Sequence, residues 1–345
     1  MKTTDLPSFA VTGAKTKLAV VVFLLSLVLI GAYAVKPPPD VVLDSTTRMQ
    51  TIDTLVAELN QHYVFPEKAR QIEALLRQRQ QDGKYDAITN GMQFASRLTS
   101  DIASVAHDRH MKVRFSPWLL RADSRPDAGD NAAPERRIGI EKVGRLEPGI
   151  GYLRISAFPP PSLVADKYAA VMNTLSDTDA LIIDVRNHRG GSPQTVALLI
   201  SYFVDERTRL NDIWSRDSGQ TTQMWTEDRL GGKRYGGTKP VMILAGPATG
   251  SAGEDFTYTM QALKRATVIG ERTWGGAHPV TMYRLGSHFV AAIPNQRSIS
   301  PITHTNWEGT GVEPDIAAPA NDALALAKEL LQRQRAADLA LRARN

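Results

Sequence analysis

Two kinds of hydrophobic patterning divide the chain. Between residues 49 and 105 apolar side chains recur every three or four positions: Met49, Ile52, Leu55, Val56 and Leu59, then Ile72, Leu75 and Leu76, then Ile88, Met92, Ala95, Leu98, Ile102 and Val105. Such spacing places them on one stripe of a helix and predicts three helices. The second opens at Pro66, whose fixed φ suits a first turn, and stops at Gly83; the third begins near Asp86. It leads into His107-Asp108-Arg109-His110, after which Met111 to Phe115 alternates as a strand. From Ile138 onward the apolar residues come instead in short runs: IGI, GYLRI, LIIDV at 181–185, VMILAG at 241–246, TVIG at 267–270 and FVAAIP at 289–294. Helical stretches over 162–175, 193–203 and 252–264 lie between them. Strands alternating with helices predict an α/β layered core whose site sits on strand-to-helix turns.

The ends and the middle complete the division. Lys15 and Lys17 precede an apolar run over residues 18–35 interrupted only by Ser26 and Tyr33, and Ala32-Tyr33-Ala34 has the small-x-small form of a cleavage site. Residues 1–35 therefore read as a signal peptide or membrane anchor, with the body exported to the periplasm or cell envelope and membrane contact confined to 18–35 if that segment stays uncleaved. Residues 36–120 form an N-terminal helical domain. Residues 121–136, with two prolines, a glycine and four acidic residues, read as a linker. Residues 137–320 make the core and 321–345 an Ala/Leu-rich C-terminal helix.

Composition narrows the chemistry. With 345 residues, 42% hydrophobic and 22% charged, the chain is globular, with no internal repeat. Its net charge of +5 is interspersed and gives no basic stripe for nucleic acid. The absence of cysteine removes thiol catalysis, zinc-thiolate sites and disulfides.

The reactive residues concentrate in two turns. Gly250-Ser251-Ala252-Gly253-Glu254 stands between a buried run and a helix, where glycines allow a tight turn and free N–H groups stabilise negative charge near the hydroxyl. On these five residues alone a nucleophile and an N-cap serine are equally supported. Thr249 stands where a Gly-x-Ser-x-Gly elbow has its first glycine. The second turn, Asp184 to Gly191, ends in paired glycines. Together the turns could form an oxyanion hole from the amide of Ala252 and that of Gly190 or Gly191.

These residues resemble the tail-specific or carboxyl-terminal processing proteases, peptidase family S41, relatives of the tricorn protease core and of interphotoreceptor retinoid-binding protein. The resemblance runs in order through HYVFPEKA at 62–69, HDRHMKV at 107–113, IGYLRISAF at 150–158, DVRNHRGG at 184–191, GSAGEDF at 250–256, VIGERTWGGA at 268–277 and WEGTGVEPDI at 307–316. It implies a crotonase-like α/β core, a peptide or protein substrate, no metal or organic cofactor, and Ser251 as nucleophile.

The Ser-Lys branch carries its lysine where this chain has Gly276. Lys264 ends the helix that Ser251 begins, ~20 Å away at 1.5 Å per residue, too far to be the base. Too few residues separate Phe115 from Ile138 for a PDZ domain. The tricorn-like branch uses a histidine and a glutamate, and His110 and Glu308 fall in its motifs, with Arg109 where that core has a serine. The resemblance thus implies a Ser251-His110-Glu308 set, with His107, His188 and His304 as rival histidines. An ordinary imidazole there would make the rate rise with pH through ~6 to 7.5. The alternative reading is a non-catalytic retinoid- or lipid-binding module of the same fold.

Overall fold

The computed structural model describes residues 41–120 and 139–342, with side chains to residue 337. The predicted export segment and the whole of the predicted linker lie outside these residues. Three helices come first: α1 (Ser45–His62), α2 (Pro66–Gln81) and α3 (Gly91–Ala106). Strands β1 (Lys112–Phe115), β2 (Ile140–Glu147) and β3 (Ile150–Ile155) follow, then α4 (Pro161–Leu175), β4 (Ala180–Asp184) and α5 (Pro193–Ile200). Next come β5 (Asp212–Ser215), β6 (Thr221–Thr222), β7 (Val241–Ala245), α6 (Ala252–Ala262) and β8 (Thr267–Gly270). The chain continues through β9 (Val280–Arg284), β10 (Phe289–Pro294), β11 (Gln296–Ile299), β12 (Ile316–Ala317) and α7 (Ala323–Arg342).

The central sheet has six strands in the order β12-β8-β7-β4-β3-β2, parallel except for the antiparallel β2–β3 pair. Strand alternation sorts its side chains. Leu181, Ile183, Val241, Ile243 and Ala245 pack against α4, α5 and α6, whereas Ala180, Ile182, Met242 and Leu244 meet Ala323, Ala327 and Leu331 of α7. Both faces are covered, which is why β4 and β7 read as unbroken apolar runs. Among the described residues no helix is long and apolar enough to cross a membrane.

The N-terminal helices do not close a core of their own. Leu55, Leu59, Ile72, Phe94, Leu98 and Ile102 share one cluster with Phe289, Ala291 and Ile293 of β10, and β1 pairs antiparallel with β10. The loop carrying His107 to His110 is thereby tied to the strand layer. The third helix begins five residues after its predicted start, because Asn90 caps it by accepting the Gln93 N–H at 3.0 Å and residues 83–88 form turns. Strands β5, β6, β9, β11 and β12 were not predicted: β6 and β12 are two residues long, and β5, β9 and β11 mix polar with apolar residues.

Candidate active site

Both reactive turns leave the carboxyl ends of neighbouring parallel strands, β4 and β7, the edge of an α/β sheet where ligands bind. They are stitched together. The Thr249 hydroxyl donates to the Val185 carbonyl at 2.8 Å, and the Gly250 N–H donates to the His188 carbonyl at 2.8 Å. Thr249 is thus a cross-link, which explains a threonine in place of the expected glycine.

Ser251 precedes α6 with φ 55° and ψ −124°. Ser251 is the N-cap of α6 and Glu254 accepts its N–H as in a capping box, but its backbone, unlike that of an ordinary extended N-cap, has positive φ, which costs on the order of 1 to 3 kcal/mol that the surroundings must supply. Glu254 supplies it. Its buried carboxylate accepts the N–H of Ser251 at 2.8 Å and of Gly276 at 3.0 Å through Oε2, and the Thr273 hydroxyl at 2.6 Å and the Gly275 N–H at 2.5 Å through Oε1. Burial still pushes the Glu254 carboxyl above its usual range, with these donors opposing it. Sequence reasoning did not single out Glu254, although Ser-x-x-Glu at a helix start was there to read.

The glycine turn divides its two candidate donors. The Gly190 N–H donates to Nδ1 of His188 at 3.0 Å, so it is not free to face an oxyanion. Gly190 has a different use: a Cβ there would fall 2.7 Å from Cβ of Ser251, so only glycine admits the serine. The Gly191 N–H makes no hydrogen bond among the described residues, nor does that of Ala252 at the first position of α6. His188 is fully buried and burial pulls it down to about 3, which makes it a neutral spacer between the turns rather than a base.

His110 sits edge-on to Trp274, ring centroids 5.0 Å apart, and its buried Nδ1 has no hydrogen-bond partner among the described residues. Burial pulls its imidazole down to about 4, against the opposing charge of Asp108. This lies below the ordinary imidazole range expected from the motif alone. A Cβ at Gly276 would lie 2.6 Å from Cε1 of His110, so the imidazole fills the space into which a side chain at 276 would grow.

Glu308 does not hold that imidazole. No hydrogen bond joins the two; Glu308 accepts the Ala277 N–H at 2.6 Å and the Arg109 N–H at 3.4 Å, and its Oε2 lies 3.5 Å from Nδ1 of His278. The carboxylate bonded to the His110 segment is Asp108, which accepts the His110 N–H at 3.2 Å through Oδ1 and contacts Nδ1 of His278 at 2.7 Å through Oδ2. Burial and the facing Asp108 raise Glu308 above its usual range. Asp108, His278 and Glu308 form a cluster of metal-ligating type, but these contacts already engage it. His278 had no sequence signal beyond its place after Ala277.

One cavity of about 550 Å³ is lined by Ser251, Ala252, Gly191, His110, Trp274 and His278, among others. His107 caps α3 in the left-handed conformation and His304 is exposed on a turn, and neither lines it. Lys264 borders a different cavity.

Residues 149–318 match peptidase family S41, and residues 41–138 match the N-terminal domain of Peptidase S41 in eukaryotic IRBP. The chloroplastic carboxyl-terminal-processing peptidase 2 of Arabidopsis thaliana is 24% identical over 189 residues, 55% of this chain and 36% of that protein. Tricorn protease homolog 1 of Streptomyces coelicolor is 26% identical over 214 residues, 60% of this chain and 18% of that protein. The chain therefore matches far less than two thirds of these relatives. Among solved structures, the tricorn protease superposes with a TM-score of 0.55 at 15% identity, over 81% of this chain and 35% of that one, a likeness of fold.

Proposed function

The chain belongs to peptidase family S41, and from that membership we propose that it is a serine-type peptidase acylated at Ser251, with His110 as its base. The observation that carries this reading is one cavity lined by a serine in strained left-handed backbone, a half-buried imidazole whose Nδ1 is enclosed, and two backbone N–H groups unengaged among the described residues.

The Ser251 hydroxyl attacks the scissile carbonyl carbon while its proton passes to His110. The carbonyl oxygen takes the negative charge and faces the N–H groups of Ala252 and Gly191, a pair whose preorganisation stabilises the oxyanion. Collapse breaks the C–N bond, and the imidazolium returns its proton to the leaving amine. Water, deprotonated by the same histidine, then releases the acyl group. The nearby Asp108 carboxylate supports the transient imidazolium, and Glu308 acts on the backbone of the His110 loop through Arg109 rather than on the ring. The apolar run over residues 18–35 supports export of this peptidase to the cell envelope.

Hydrolysis of an unfolded protein substrate tests this reading. Ser251→Ala should abolish it, Gly191 bearing a side chain should lower it by ~100-fold or more, and undiminished turnover in Ser251→Ala would refute it. The lipid-binding alternative finds no support in the cavity, whose wall includes the exposed charged side chains of Arg109, Lys112, Arg114 and Arg189.

A further inference from the structure

We propose that this cavity selects peptides with acidic side chains beside the scissile bond, a statement of substrate class that rests on the peptidase reading. Four cations line it: Arg109, Lys112 and Arg114 from one wall and Arg189 from the glycine turn opposite. All four are exposed, and none has a carboxylate within ion-pair distance among the described residues. Some arginines elsewhere in the fold are neutralised locally, as Arg186 is by Asp184 at 2.7 Å and Arg209 by Asp212 at 2.5 Å, and others are held by backbone carbonyls, as Arg265 is by Phe203 at 2.6 Å. What sets the four apart is that they share one concavity.

The local structure explains how the cations come to share a wall. In β1 the alternation turns Val113 into the core and leaves Lys112 and Arg114 on the outer face. Register places Lys112 beside Ala292 of β10, which in turn faces Met282 of β9, and all three line the cavity. The wall is a sheet face with a short apolar floor and a basic border. Nζ of Lys112 lies 5.8 Å from the centre of the Trp274 ring, the same ring that borders His110, so the positive charge reaches the reacting centre.

Among the described residues one carboxylate lines the cavity, that of Asp255. Its Oδ1 is already committed to Asn211 Nδ2 at 2.6 Å and the Thr259 hydroxyl at 3.2 Å. A concave wall dominated by one sign of charge concentrates ligands of the other sign and repels its own, an effect that salt weakens. The partner chemistry that satisfies four cations near an acylating serine is a peptide rich in Asp or Glu side chains.

The test is protection of Ser251 from a fluorophosphonate probe in the full chain. Acetylated and amidated hexaglutamate should slow labelling by ~10-fold at a concentration where hexaglutamine and hexalysine do not, and the protection should fade at ~0.5 M NaCl. The variant pair Lys112→Glu with Arg114→Glu, with protection measured against its own labelling rate without peptide, should lose protection by hexaglutamate and gain it from hexalysine. Lys112→Gln with Arg114→Gln serves the same comparison without charge reversal, and should lose protection only. Equal protection by all three peptides would overturn the proposal, as would protection by hexaglutamine with a free carboxyl terminus equal to that of hexaglutamate, which would assign the cations to a chain end. Absence of labelling at Ser251 would overturn the peptidase reading and this proposal together.

Discussion

Gly276 and His110 exclude one another's side chains: a Cβ on the glycine would stand 2.6 Å from Cε1 of the imidazole. The space beside Ser251 that a lysine at 276 would enter is held by histidine and by Trp274. Gly276→Ala must therefore displace the ring. We expect a loss of at least ~10-fold in kcat/KM, since small misplacement of a catalytic group is costly, with far-ultraviolet circular dichroism unchanged. Wild-type kinetics in this variant would show that the close fit of Gly276 against Trp274 and His110 does not position the base.

The carboxylate of Glu254 joins the Ser251 turn to the Thr273–Gly276 segment through four donors. In Glu254→Gln an amide NH2 replaces one acceptor and confronts backbone N–H groups. Leaving buried donors unpaired costs about 1 to 3 kcal/mol each, so a destabilisation of about 3 kcal/mol is expected in urea unfolding, with loss of activity in the protein that remains folded. An unchanged urea midpoint would contradict the role assigned to this carboxylate.

With its pKa pulled down from 6.5 to about 4 by burial, His110 is neutral across the physiological range. A base must be neutral to accept a proton. The acylation rate should therefore be flat from pH ~6 to 8 and fall only as pH drops through the region of 4 to 5. A pre-steady-state profile that instead rises through pH 6.5 to 7.5 would place the base in a solvated site.

Asp108 is bonded to the His110 N–H, whereas Glu308 reaches only the preceding residue. Asp108→Asn should lower kcat by ~10- to 100-fold with little change in KM, because it removes the charge that favours the imidazolium, and Glu308→Gln should cost less. The reverse ranking would restore Glu308 as the carboxylate that acts on the base.

The buried strands β3, β4, β7, β8 and β10 and the Ser251 turn were legible because burial writes short apolar runs and a tight strand-to-helix turn demands glycine. Seven ordered motifs located His110 and Glu308. What the sequence did not disclose is which of these residues touch. Gly190 and Gly191 are indistinguishable as letters, and only the His188 acceptor separates them. The partnership of Asp108 with His278 spans 170 residues and depends on how the loop after β8 folds back, a relation no local pattern encodes. The depressed pKa of His110 likewise comes from burial by chain segments far from it in sequence.

A nucleophilic Ser251 activated by His110 should be acylated by a fluorophosphonate, and mass spectrometry maps where the adduct forms. The account predicts a single adduct on the peptide containing Gly250-Ser251-Ala252, absent in Ser251→Ala and formed at least ~100-fold more slowly in His110→Ala. An adduct on another residue, or equal labelling rates in His110→Ala and the unmodified chain, would contradict it.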